Sequence, residues 1–473
     1  MLVPERHRVL SRGQAPLIDP SKHPVRQLTV VLDGDVVNAQ TPEAAYLRRL
    51  LAESGAALWR YADAGPPDDE RTLTNPHGGE RYAPGWIELQ HSGLAYSALL
   101  ASEAGVTLAS AWPGLQDISV AVRALGGQGT DDEKLADVLA ACGASAAHPD
   151  AFVTGRQRLL ATSSTIARQA RPYDVLDALS LVGLLLRSQD RYVVGTEGDH
   201  MFAIDEVNRG LFYFVAARGL TPAGWRWFSA CVDSGDESLL LLAQSVLERV
   251  DRSLRLRDTL YQWLLLPQNN DSADEALAAL DALMFTLHGA FDAAARVAHR
   301  VLGLRTRMRD VGWHRQDWQG QVDKAGHHTL IDPVRAGTPG AALLQVIRSL
   351  RNTVHGEAVR TVAVHGSSTA GGVDTQLALP AEDVDFILAA IDAVGSRQAW
   401  GIRDFMQTRL LIQVPPFVEQ IARPAYALLD ELLRRTPVEL LIGGRDPSIT
   451  EPPTSDETFG PSRTRRILWQ LGL

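Results

Sequence analysis

Residues 28–37 read LTVVLDGDVV. A β-branched run through Thr29, Val30 and Val31 ends at two carboxylates, Asp33 and Asp35. Such residues suit a strand, and a run without polar alternation suits one buried on both faces, as in a parallel sheet. Helix signals follow. Thr41 is placed to cap, Pro42 to take the first helical position, and Glu43 to face the positive end of the helix dipole. The helix then runs through Tyr46, Leu47, Leu50 and Leu51 to Gly55. A strand feeding a helix in this way predicts an α/β domain, and open α/β sheets bind ligands at the carboxyl ends of their strands. Asp33 and Asp35 are therefore candidate ligating residues. Asp-Gly-Asp is equally at home as a plain strand-end turn.

Residues 63–81 are polar and rich in Pro, Gly and Asp, and predict a loop. Residues 84–100 read as a helix carrying Glu88, and 119–125 are short and ambiguous. Gly126, Gly127 and Gly129 break the chain before Thr130-Asp131-Asp132-Glu133, a capping signal for a helix continuing through Leu135, Val138 and Leu139. Residues 151–154 read as a short strand, and a further helix starts at 157.

This order of elements resembles the PIN domain, a small α/β nuclease built on a parallel sheet. The pieces that match are Asp33-Gly34-Asp35-Val36-Val37 after the first strand, Glu88, Asp132-Glu133-Lys134-Leu135-Ala136 opening a helix, and Phe152-Val153-Thr154-Gly155 with Leu159-Leu160 beyond it. The resemblance covers residues 26–165. It implies that Asp33, Asp35, Glu88 and Asp132 hold Mg²⁺ or Mn²⁺ for RNA hydrolysis. Hard cations take oxygen ligands, and a bound metal activates water while neutralising phosphate. The family's last acid follows the Thr by two positions, where this chain has Arg156. An active nuclease and an inactive, structural PIN-like domain both follow from these residues.

The remainder reads as mainly helical. Apolar runs predict helices over 174–186 and 239–266, the latter read as up to two helices with Arg252, Arg255 and Arg257 outside. Residues 192–204 read as a hairpin. The aromatics Phe212, Tyr213, Phe214, Trp225, Trp227 and Phe228 read as core rather than a base-stacking platform. Residues 273–304 form the cleanest amphipathic pattern, with Leu277, Leu280, Met284, Leu287, Phe291, Ala294, Ala298 and Val301 in one stripe. Residues 310–339 read as an irregular insertion, with His327 and His328 at its surface. A loop is expected over 366–376, and helical segments over 380–395, 404–411 and 416–435.

Residues 341–357, AALLQVIRSLRNTVHGE, place Leu343, Val346, Ile347, Leu350 and Val354 on one helix face. Arg348, Arg351 and His355 fall on one flank. Guanidiniums beside an imidazole suit phosphate chemistry, although a solvated basic edge gives the same pattern. Arg351-Asn352 followed by His355 resembles the HEPN superfamily. In this chain three residues separate Arg351 from His355, and six separate Arg348 from it. The resemblance implies a HEPN-like four-helix bundle from helices near 270–302, 341–357, 381–395 and 416–435. It further implies a metal-independent RNase site of Arg348, Arg351, Asn352 and His355, needing no cofactor and assembled across a homodimer.

The predicted organisation is an extended arm over 1–25, a PIN-like α/β domain over 26–165, a helical linking domain over 166–268, the HEPN-like bundle over 269–440 and a tail over 441–473. An apolar fraction of 45% with 22% charged residues suffices for packed cores. A net charge of −10 argues against broad coating of nucleic acid, which needs phosphate neutralisation. The densest basic run, Arg296, Arg300, Arg305, Arg307 and Arg309, reads as a solvated face. Two cysteines support neither a disulfide framework nor a zinc site. With neither a leader-like segment nor an 18-residue apolar run, the expectation is a cytoplasmic protein with no membrane partner. Two functions compete. One is a ribonuclease acting on RNA, of the kind used as a toxin or in antiphage defence. The other is a non-catalytic helical scaffold or regulatory RNA- or nucleotide-binding protein with vestigial nuclease sites.

Overall fold

The structure, a computed structural model, describes residues 16–21, 23–63, 85–92, 95–102, 105–112, 115–125, 128–161, 170–197, 202–266, 269–352, 359–365, 373–378, 384–405, 409–452 and 460–473. The chain divides into two compact units. The first comprises Leu17–Asp205 with Trp469–Gly472, and the second is mainly Glu206–Leu468.

The first unit is built on a seven-stranded sheet. Its strands are Thr29–Asp33 (β1), Ala57–Tyr61 (β2), Gly85–Ser92 (β3), Ala95–Ser102 (β4), Gly105–Trp112 (β5), Ala151–Val153 (β6) and Pro172–Tyr173 (β7). They lie in the order β5-β4-β3-β2-β1-β6-β7. Strands β3-β2-β1-β6-β7 run parallel, while β4 and β5 add antiparallel to the β3 edge. The sheet is therefore mixed rather than wholly parallel.

Glu88 lies on β3, not on the helix expected over 84–100. Alternation explains the difference. Ile87 and Leu89 recur at a spacing of two, and Ile87 is fully buried, so the sheet claims this segment. Central β1 is buried on both faces, with Val30, Val31 and Leu32 all at 1% exposure or less.

Around the sheet lie the helices Gly34–Asn38 (α1), Pro42–Ser54 (α2), Leu115–Ala124 (α3), Asp131–Ala146 (α4), Gln157–Ala161 (α5) and Val175–Ser188 (α6). Thr41 caps α2 with Pro42 in its first turn. Thr130 and Glu133 form a complete capping box on α4. One core joins Val31, Ile87, Ala98 and Phe152 of the sheet to Ile118 and Ala121 of α3 and to Val138, Ala141 and Cys142 of α4. Strands Val193–Glu197 (β8) and Phe202–Glu206 (β9) pair, as the sequence predicts.

The second unit is mainly helical: Arg209–Leu220 (α7), Gly224–Asp233 (α8), Glu237–Leu264 (α9), Asn270–Val301 (α10), Gln316–Lys324 (α11), His328–Ile331 (α12), Pro339–Asn352 (α13), Val384–Val394 (α14), Val414–Arg435 (α15) and Pro461–Leu471 (α16), whose residues from Trp469 count with the first unit. Residues 239–266 lie in the single long helix α9 and the turn after it. Its Arg257 does not face outward. It is 2% exposed, pairs with Glu419 of α15, and lies over the Tyr261 ring.

By length and composition α10 would suffice to cross a membrane. Its stripe residues Leu280, Met284, Leu287 and Phe291 are buried inside this unit. Residues 310–339 are organised around Trp313 and Trp318, both at most 2% exposed and packed edge to face at 5.2 Å.

Helices stand near all four segments expected of a bundle, but the described residues between them add an antiparallel sheet. Arg360–His365 (β10), Val373–Ala378 (β11), Ile402–Phe405 (β12) and Arg409–Gln413 (β13) lie in the order β10-β11-β13-β12. Residues 404–405 and 409–411 are strand rather than helix, and 373–376 are strand rather than loop. The rest of the 366–376 loop, the expected loop at 64–81, arm residues 1–15 and His355 lie outside the described residues.

Candidate functional site

The carboxyl end of β1 delivers Asp33, which is 1% exposed. Both of its oxygens are occupied. Oδ1 accepts the Gly34 N–H at 2.9 Å and Arg156 Nη2 at 3.2 Å. Oδ2 accepts the Thr154 hydroxyl at 2.7 Å and Arg156 Nε at 2.6 Å. Thr154 follows β6, which pairs with β1, so the sheet fixes this contact.

Arg156 reaches two further acids. Nη2 lies 2.9 Å from Asp63, just past β2, and Nη1 lies 3.4 Å from Asp137 on α4. Arg158 Nε holds the other Asp137 oxygen at 2.6 Å. The guanidinium also lies 6.0 Å from the Tyr61 ring centroid. Burial alone would lower the Arg156 pKa, but the Asp33 and Asp63 carboxylates outweigh it and raise it, so the cation is permanent. Burial, then the Asp63 charge, raises the Tyr61 hydroxyl.

Asp35 sits beside this cluster and accepts the Gly155 N–H at 2.9 Å. Burial, and then the Asp33 charge, raise its pKa above the ordinary carboxylate range. A Cβ on Gly155 would come within 2.5 Å of the Asp35 carboxylate, so glycine admits that contact. Gly143 of α4 plays a similar part under Tyr61, where a Cβ would meet the ring at 2.8 Å.

Of the acids picked from sequence, Asp33 and Asp35 lie together. Among the described residues, Glu88 and Asp132 make no hydrogen bond or ion pair to them. Asp132 lies exposed in the first turn of α4, while Asp137, more than a turn further on, is buried at the cluster. Among the described residues no three His, Cys, Asp or Glu side chains are disposed to hold a metal ion.

The second candidate region lies in the helical unit. Arg348, Ser349 and Asn352 of α13 line a cavity of about 330 Å³ with Trp313, His314, Gln316, Gln319, Leu344, Gln345 and Phe386. Arg351 turns elsewhere. Its guanidinium lies 5.6 Å from the Phe285 ring centroid of α10, and its Nη1 donates to Asn352 Oδ1 at 3.2 Å.

His314, not picked from sequence, is the imidazole beside Arg348. Burial, then the Arg348 and Arg315 charges, push its pKa down to about 4, against the pull of Asp292. Its position is built from tertiary anchors. The Trp313 indole N–H donates to the Phe291 carbonyl at 2.9 Å, and Gln319 Nε2 donates to the carbonyls of Trp313 and Val334. The His288 ring, paired with Asp292 at 3.3 Å, lies 6.3 Å from His314.

Comparison with family models, curated proteins and solved structures finds no match to this chain.

Proposed function

We propose that the protein is a non-catalytic scaffold or regulator, whose first unit is a PIN-like domain closed to metal-dependent nuclease chemistry. One observation carries this reading. The Arg156 guanidinium stands among Asp33, Asp63 and Asp137, where a divalent cation would need their oxygens. A metal activates water only with ligand oxygens and an open position available to it. Asp33 has spent its oxygens on Arg156, Thr154 and Gly34. These residues do not fit Mg²⁺ or Mn²⁺ without displacing a fixed cation. The acid cluster is then an internal fastening between β1, α4 and the segments after β2 and β6. The HEPN-like assignment of the helical unit, with RNA as partner and a homodimer as assembly, rests on the sequence resemblance around Arg348, Arg351 and Asn352.

The test pairs Mn²⁺ titration calorimetry with cleavage of a mixed RNA substrate. The wild type is expected to release no binding heat at millimolar Mn²⁺ and to leave RNA intact with metal or with EDTA. Arg156→Ala is expected to gain Mn²⁺ binding, and Asp33→Asn on that background to lose it. EDTA-sensitive cleavage abolished by Asp33→Asn would restore the metal nuclease. EDTA-resistant cleavage lost in Arg348→Gln would place an RNase in the helical unit. Either result overturns the non-catalytic reading.

A further inference from the structure

We infer that the cavity between α11, α13 and α14 binds a small organic anion, a flat ring carrying one phosphate or carboxylate. The inference goes beyond the reading of Asp33 and Arg156 and does not depend on it. Three features of the lining carry it.

The first is charge. Arg348 is the one charged residue among the described residues lining the cavity, and no described carboxylate pairs with it. A guanidinium at a concave wall, with no ion-pair partner among the described residues, suits a forked contact with a phosphate or carboxylate. The nearby acid Asp292 is engaged by His288. Burial would raise its pKa, but the His288 hydrogen bond and charge bring it below the ordinary range.

The second is polarity. His314 stays neutral at physiological pH, so beside Arg348 it offers one donor and one acceptor rather than a second cation. Gln316, Gln345 and Asn352 add amides to the same lining. Gln345 Nε2 is turned to the Phe386 carbonyl at 3.2 Å, which ties α13 to α14. Such a wall reads a ligand's hydrogen-bonding edge and sets one cation against its anionic group.

The third is shape. Phe386 is 55% exposed where it meets the cavity, and Leu344, Val334 and Ala341 supply apolar wall. An exposed ring beside a cation and amides suits stacking of a planar group. The volume of about 330 Å³ lies at the small end of ligand sites, about 300–1,000 Å³. That admits a ligand the size of a mononucleotide and excludes folded macromolecules from the interior.

The experiment uses the full chain and four probes in titration calorimetry: AMP, salicylate, inorganic phosphate and adenosine. Binding of AMP or salicylate is expected, with phosphate (charge without ring) and adenosine (ring without charge) each weaker by roughly tenfold or more. AMP against salicylate tells phosphate from carboxylate as the preferred group. Arg348 is exposed, so Arg348→Gln should fold, and it should weaken the bound probe by roughly tenfold to a hundredfold. Phe386→Ala should weaken AMP without weakening phosphate. Ala341→Phe, which fills the cavity, should abolish binding with the thermal midpoint retained. No binding of AMP or salicylate at millimolar concentration overturns the inference. So does binding indifferent to Arg348→Gln and Ala341→Phe, since the site would then lie elsewhere.

Discussion

Arg156 and Arg158 divide Asp137 between them. Arg156 Nη1 lies 3.4 Å from one carboxylate oxygen and Arg158 Nε lies 2.6 Å from the other. Asp137 thereby becomes the point at which α4 is fixed to the segment following β6. Its side chain is only 6% exposed, so neither arginine competes with much water for it.

Removing Arg156 should be costly because it orphans charge rather than because it deletes one contact. Arg156→Met would leave Asp33 without a cation at 1% exposure and Asp137 with only Arg158. Losing one partner of a buried ion pair costs about 3–5 kcal/mol. Asp33→Asn on that background should recover part of the loss, since a neutral amide no longer needs the guanidinium. Urea unfolding of both variants measures this. A single-variant loss below about 1 kcal/mol would show that the cluster is well solvated.

Asp35 should weaken the fold as pH rises. Its folded-state pKa lies above the unfolded value, first through burial and then through Asp33. The folded state thus binds the proton more tightly. The stability this provides is present at low pH, falls as pH rises from the unfolded value of about 4 through the raised folded value, and is gone at neutrality. Asp35→Asn keeps an acceptor for the Gly155 N–H and removes the charge. It should melt above the wild type at pH 7, with the advantage fading below pH about 4. A constant offset at both pH values would refute the charge argument.

The two sides of α10 should respond differently. Leu287 is 2% exposed on the inner stripe, so Leu287→Ala should cost about 2–5 kcal/mol by leaving a cavity. Phe285, at 54% exposure beneath Arg351, should lose below about 1 kcal/mol on truncation to Ala. Equal losses at the two positions would mean that the outer face is covered in solution.

Sequence carried the local features well. The strand ending at Asp33, the Thr41 cap and the Thr130–Glu133 capping box each depend on residues within a few positions of one another. What depended on helix phase or on distant partners was harder to see. The PIN resemblance picks Asp132 at the start of α4, but Asp137 on the buried face is the acid that Arg156 reaches. Arg156 stood out as a basic residue at an acidic position. That it would hold Asp33, Asp63 and Asp137 at once depends on three chain segments meeting. The segment carrying Glu88, which the sequence predicts as a helix, is a strand because its partners β2 and β4 lie elsewhere in the chain. His314 belongs to a stretch without periodicity, and its place beside Arg348 is set by Trp313 and Gln319.

Gln470 is fully buried in the first unit, where its amide donates to the Tyr46 hydroxyl at 2.6 Å and to the Val193 carbonyl at 2.8 Å. A Cβ on Gly183 of α6 would meet the Gln470 side chain at 2.7 Å, so α6 keeps a groove for it. Tyr46 and Gln470 are 424 residues apart. At a synthesis rate of roughly 5–20 residues per second, about 20–85 s pass between their emergence from the ribosome. During that interval the unit begun first holds an open groove, and the Tyr46 hydroxyl, which accepts the Gly195 N–H at 3.3 Å, lacks its Gln470 donor. Its assembly is completed only after the whole helical unit has been made, so the nascent chain spends most of its translation time with its earliest domain unfinished.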